Sequence, residues 1–363
     1  MVVEIIAAGA FGIAGLFGFI YWRVSGVMPF LYANARLQAK TTYLLMDNKM
    51  QSLAESKSLA EFQNALTDTD YAQFIEKTSK VKDIHLGIEK GFVFAVEELK
   101  KMTPNSIDPV FDAYLNFWEA KIIKTFYREK FTQSIDTNVD TELVFPVGKI
   151  DSFIISKLKE AKTIADLKVV MSQTNYKNVF EQDFENLEEF EVALDNFIYK
   201  NFVKTVNETK IHDKKLILEI MNRKFDILNL LVIIKTIARE LPTEKRHNLL
   251  IKNESVLAQK TKELVQTQSI EELVGQTKGT IYFDVLQEAL EEYKKDDSLN
   301  HFEQKLLVFY KEFVLNQELN HFQGPFPLFS YLVKKEAETR NLLTISKGID
   351  AGFSTAQIKE LIL

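Results

Sequence analysis

Cysteine is absent from this chain of 363 residues. That excludes a disulfide framework, a cysteine-ligated zinc, an iron–sulfur cluster and a thiol nucleophile. Proline and glycine are scarce, at 7 and 13, and the glycines are uneven. Gly9, Gly12, Gly15, Gly18 and Gly26 all fall before residue 27, leaving eight for the rest. A β-rich or loop-rich enzyme needs turns built from these residues, so the body is expected to be long helices with short connections. A basic excess is missing as well. The net charge is −6, with both signs interspersed, so no face is set up to neutralise phosphates and nucleic acid is not an expected partner. What is present is a folded composition, 46% hydrophobic and 26% charged, in a chain longer than one ordinary domain.

Residues 5–22, IIAAGAFGIAGLFGFIYW, form the longest uncharged stretch near the start. As a helix it would span about 27 Å at roughly 1.5 Å per residue, against a bilayer core of about 30 Å. Glu4 precedes it and Arg23, Arg36 and Lys40 follow. A secretory signal begins with positive charge, so this segment reads as an anchor, N-terminus outside and body on the cytoplasmic face. Gly9, Gly12, Gly15 and Gly18 recur every third residue. That spacing suits close approach of another membrane helix. It is also what a generic anchor decorated with glycine would show, and a buried soluble helix is a third reading.

The body contains a repeat, the feature to seek before motifs. SLAEFQNALTDTDY begins at Ser58, TIADLKVVMSQTNY at Thr163 and SIEELVGQTKGTIY at Ser269, 105 and then 106 residues apart. Each has an acid three residues on (Glu61, Asp166, Glu272), a threonine at the twelfth place (Thr69, Thr174, Thr280) and a tyrosine at the fourteenth (Tyr71, Tyr176, Tyr282). Ser or Thr followed by an acid at the third residue is a capping-box pattern that starts a helix. The second threonine then caps the next helix, with the tyrosine packing from its first turn. A second block recurs on long amphipathic helices: IIKTFYR at 122–128, IIKTIAR at 233–239 and NLLTISK at 341–347, which aligns with NLLVIIK at 229–235. Asp226 and Asn229 match Glu338 and Asn341, whereas this alignment gives the first copy Leu115 and Trp118. These acids read as interface ion pairs or as structural partners of Asn229 and Asn341, with the asparagines capping a neighbouring helix.

Chemistry is sparse. GQTKGT (275–280) lacks the Gly-Lys-Ser/Thr ending of a phosphate loop. Glu244 with His247, and Glu318 with His321, have Glu-x-x-His spacing. The first reads as an exposed helix start, and the second ends a helix where histidine suits the dipole, so neither marks a metal site. No catalytic set, cofactor site or metal site is expected, and the chain reads as a non-enzyme.

YANARLQAKTTYLL (32–45) with SLAEFQNALTDTDYAQFI (58–75), KFDILNLLVIIKTIAR (224–239) and the closing PFPLFSYLVKKEAETRNLLTISKGIDAGFSTAQIKELIL (325–363) resemble the C subunit of archaeal-type ATP synthases. That family is similar to the d subunit of vacuolar proton pumps. The resemblance implies an all-α fold of three similar lobes in a pseudo-threefold funnel, here preceded by the hydrophobic N-terminal helix. It implies a rotor adapter, one copy per complex, between the D and F subunits of the stalk and the membrane proteolipid ring. The expected divisions are an anchor at 1–26 and lobes at 27–140, 141–241 and 242–363. A membrane-anchored helical scaffold unrelated to any ATPase is the alternative.

Overall fold

The computed structural model describes residues 25–41, 44–45, 47–75, 80–132 and 144–363. Among them the regular structure is helical, and two residues of a tight turn, Val147 and Ile150, make the one β-bridge. The hydrophobic run at 5–22, with Gly9, Gly12, Gly15 and Gly18, lies outside the described residues. Among those that are described, no helix is long and apolar enough to cross a membrane.

Repeat 1 contains α1 (Met28–Thr41), α2 (Asp47–Ala54), α3 (Leu59–Asn64), a 3-10 turn (Asp70–Gln73), α4 (Val81–Met102) and α5 (Asp108–Thr132). Repeat 2 contains α6 (Ser152–Glu160), α7 (Ile164–Met171), α8 (Lys177–Phe180), α9 (Leu187–Glu208) and α10 (Lys214–Ala238). Repeat 3 contains α11 (Thr243–Asn248), α12 (Val256–Gln266), α13 (Ile270–Gln276), α14 (Phe283–Asp296), α15 (Asn300–Asn320), α16 (Phe326–Asp350) and α17 (Thr355–Leu361). The plan is common to all three: short helices around the signature tyrosine, then two long helices, with repeat 3 adding α14 before its pair and α17 after it.

The capping residues start the short helices. Ser58, Thr163 and Ser269 each accept the backbone N–H three residues on, that of Glu61, Asp166 and Glu272. At Thr163 the box is complete, since Asp166 accepts the threonine's own N–H at 2.9 Å. In the outer copies the acid reaches one residue further back, Glu61 to Lys57 N and Glu272 to Gln268 N. The second threonines, Thr69, Thr174 and Thr280, accept the N–H of Tyr71, Tyr176 and Tyr282 at 3.2–3.3 Å.

The long helices carry apolar stripes at spacings of three and four, the period that buries one face. On α4 the stripe runs Ile84, Ile88, Phe92, Val96, Leu99. Gly87 and Gly91 sit within it for a steric reason. A Cβ on Gly87 would lie 2.5 Å from the Phe74 carbonyl oxygen, and one on Gly91 would lie 2.6 Å from the Tyr71 ring. These two glycines let the segment holding Tyr71 approach the α4 backbone. α16 is buried on nearly every side, polar Ser330, Lys335, Thr339 and Ser346 included, which marks it as an interior helix.

The packing is cyclic. The first long helix of each repeat lies on the last long helix of the preceding one: α9 on α5, α15 on α10, and α4 on α16. Repeat 1 thus docks on repeat 3, and the ring closes.

Candidate functional site

The three signature tyrosines are almost fully buried, so their hydroxyls need acceptors. Each finds a buried carboxylate on the last long helix of the preceding repeat. Tyr176 donates to Glu119 of α5 at 2.6 Å, Tyr282 to Asp226 of α10 at 3.0 Å, and Tyr71 to Glu338 of α16 at 2.7 Å. The acids are between 1% and 4% exposed. Every joint of the ring is therefore pinned by the same bond, that between repeats 3 and 1 included.

Glu119 corrects the sequence alignment. Matching IIKTFYR to IIKTIAR places Leu115 opposite Asp226, as though the first copy departs from the pattern. The tyrosine bonds put Glu119 opposite Asp226 and Glu338, one helical turn from the identity match. In that register the first copy keeps its acid and replaces the asparagine with Ile122. The signal legible in the sequence is a lone acid within the apolar run of α5.

The asparagines do not pair with the acids, nor do they cap a helix. Asn229 brackets the main chain of Ile251, donating to its carbonyl at 2.8 Å and accepting its N–H at 2.9 Å. Asn341 does the same to Leu363, at 3.1 and 2.8 Å. Both clamps reach forward 22 residues, so they hold the extended segment beyond each long pair.

The remaining donors to the acids differ. Glu119 accepts from Asn116 Nδ2 at 3.0 Å and Lys149 N at 2.8 Å. Asp226 accepts from Asn253 Nδ2 at 2.6 Å and Ser255 Oγ at 2.5 Å. Glu338 accepts from Leu45 N at 2.6 Å and from the buried ammonium of Lys335 at 2.5 Å. Burial pushes the carboxyls of Glu119 and Asp226 above their ordinary range, more than the donors pull them down. It also raises all three tyrosines, with the facing carboxylate adding to it.

Inside the ring, α5, α10, α15 and α16 line a half-open cavity of about 460 Å³. Equivalent positions from the three repeats line it. Two residues before each acid stand Phe117, Lys224 and Glu336, and two after stand Lys121, Leu228 and Arg340. The first set meets directly: Lys224 lies 2.6 Å from Glu336 and 4.8 Å from the centre of the Phe117 ring. At the edge Arg340 pairs with Glu303 at 2.5 Å and Lys121 with Glu89. The cavity is a largely apolar well with paired charges within it and at its edge.

The second Glu-x-x-His pair is engaged elsewhere. Glu318 accepts from Ser330 at 2.6 Å and Lys334 at 2.5 Å, while His321 faces Asp213 at 3.5 Å. Among the described residues no group of three or more potential ligands converges on a metal position.

A family model for the ATP synthase (C/AC39) subunit matches residues 33–361. The chain belongs to the ATP synthase C/AC39 family. Its relatives include a protein of Methanocaldococcus jannaschii named as the C subunit of an A-type ATP synthase, 30% identical over 352 residues, which span 94% of this chain and 88% of that one. A protein of Pyrococcus abyssi with the same name is 26% identical over 360 residues, covering 95% and 92%. One from Methanothermobacter thermautotrophicus, also so named, is 27% identical and covers 93% and 88%. The C/AC39 match begins within α1 and spans all three signatures and all three acids, so the closed ring is coextensive with the family region. A scaffold unrelated to ATP synthases is overturned by that match.

Proposed function

We propose that this chain is the non-catalytic rotor adapter of a rotary ATP synthase, joining the D and F subunits of the stalk to the membrane proteolipid ring, one copy per complex. Family membership supports a place in such a complex. The observation that carries the finer reading is the closed ring itself. Three repeats, each locked to the next by a buried tyrosine–carboxylate bond, surround an axial well. A rotor element must pass torque without yielding. Close-packed helices transmit strain with little compliance, and a closed ring distributes load over three joints. The well lies on the ring axis, where a rotating stalk would seat. On this reading the chain uses no cofactor or metal, and its lobes divide near residues 140 and 242.

The uncharged run at 5–22 would hold the N-terminal part in or beside the proteolipid ring, with Gly9, Gly12, Gly15 and Gly18 permitting close helix contact and the N-terminus outside. Pull-down of the chain from detergent-solubilised membranes tests the whole reading: proteolipid and both stalk proteins are expected, and their absence overturns it. Leu228→Glu, which places a charge in the apolar well, is expected to release the stalk pair while the proteolipid remains bound. Deletion of residues 1–26 is expected to weaken ring attachment; unchanged, salt-resistant attachment would sink the anchoring role.

A further inference from the structure

Two joints of the ring connect repeats that are consecutive in sequence. The seam between repeats 3 and 1 joins Tyr71 to Glu338, 267 residues apart, and three observations set it apart. First, part of its packing is separate. Met50, Leu53, Phe62 and Tyr71 join Ile84 and Ile88 of α4, Leu342 and Ile358 in a hydrophobic cluster of their own, whereas the matching residues of repeats 2 and 3, Tyr176 and Tyr282 among them, belong to the main core. Second, its node alone holds a buried ion pair. Lys335 lies against Glu338 with both side chains 3% exposed, and its ammonium is 4.3 Å from the centre of the Tyr71 ring. Burying two ions is costly, and opening returns both to water. The donors to Glu119 and Asp226 are neutral and recover less. Third, α16 touches the seam and the axial well together. Thr339 stands 3.5 Å from the Tyr71 hydroxyl and lines the well, while Leu343 packs on the seam cluster and also lines the well.

We propose that residues 47–75 form a latch that opens and closes as one unit on α4, α16 and α17, and that its position is coupled to occupancy of the axial well. Units of this kind, bounded by their own small core, are the ones that open below the global unfolding free energy. Coupling is reciprocal: whatever displaces α16 from inside the well loosens the latch, and an open latch lets the well widen. The proposal rests on the adapter reading only for the identity of the well's occupant, the stalk.

Hydrogen exchange by mass spectrometry on the full-length chain tests it without any partner. Peptides within 47–75 are expected to exchange at least tenfold faster than their counterparts within 152–180. Equal rates in the two segments would overturn the latch. Ala337→Trp fills the well from within the chain, at the position where repeat 1 carries Trp118. It is expected to speed exchange of 47–75 at least threefold and to leave 152–180 within twofold. No change, or equal change in both segments, would overturn the coupling. The double variant Lys335→Met with Glu338→Gln removes the ion pair and is expected to slow latch exchange; faster exchange would overturn the pair's part in opening. Loss of the stalk proteins from the pull-down would contradict the adapter reading and leave these ratios untouched.

Discussion

The joint between repeats 1 and 2 and the seam between repeats 3 and 1 use one bond in two electrostatic settings. At the joint, Tyr176 meets Glu119 among neutral donors, Asn116 and the Lys149 amide. At the seam, Tyr71 meets Glu338 beside a buried lysine. A repeated geometry therefore does not imply a repeated energy. The residue three before the acid is what varies: Asn116 in repeat 1, Arg223 in repeat 2, Lys335 in repeat 3. Arg223 itself leans away, stacking on Phe313 at 3.4 Å and bonding Glu219 at 2.7 Å.

The sharpest way to break this comparison is to neutralise one acid at a time. Glu338→Gln strands the Lys335 charge in the interior and is expected to cost about 3–5 kcal/mol, the usual penalty for breaking a buried pair. Glu119→Gln strands no charge. It exchanges one accepting oxygen for a donating nitrogen, and is expected to cost about 1–2 kcal/mol at neutral pH. Urea denaturation of both variants reads the difference. Equal losses would mean that Lys335 does not set the seam apart from the joint.

Removing the tyrosine hydroxyls should give a smaller, graded effect. Tyr176→Phe and Tyr282→Phe each delete a buried hydrogen bond to a carboxylate, worth about 1.5–3 kcal/mol. Tyr71→Phe should fall at the low end of that range, because Glu338 keeps its bonds to Lys335 and Leu45. A thermal-melting series of the three variants orders them, and a largest loss at Tyr71 would contradict the account of the seam.

Much of the ring is legible in the sequence, and the missing parts share a cause. The capping residues Ser58, Thr163 and Ser269 act on their own helices, so local pattern reveals them. So does the scarcity of glycine that announces a helical body. The partner of each tyrosine lies in another repeat, and nothing local marks it. Glu119 is hidden further by a coincidence: the IIKT identities draw the alignment one turn out of register, so the acid falls opposite Leu230. Asn229 and Asn341 are visible as a matched pair, but their targets, the main chains of Ile251 and Leu363, are backbone groups with no sequence signature. Asn229→Ala leaves the buried Ile251 N–H without its acceptor and is expected to cost about 1–3 kcal/mol. The same change at Asn341 should cost less, since Leu363 is more exposed than Ile251 and water can replace the lost partner; paired denaturation curves check the order.

The smallest effect separates the settings by pH. Burial holds the Glu119 carboxyl above its ordinary range in the folded chain, so between the unfolded pKa, about 4.3, and the folded one the native state binds more protons than the unfolded state. Stability from this group is complete below the unfolded pKa and is lost as pH rises through the folded pKa. Glutamine does not titrate. The stability of Glu119→Gln relative to the parent is therefore expected to rise as pH increases from about 4, then to level off above the folded pKa. Asp226→Asn should give the same sign, starting near pH 3.9. Melting temperatures measured in parallel at half-unit intervals show the slope. A relative stability that falls with rising pH would mean that the donors around Glu119 outweigh its burial, and the neutral setting assigned to this joint would then be wrong.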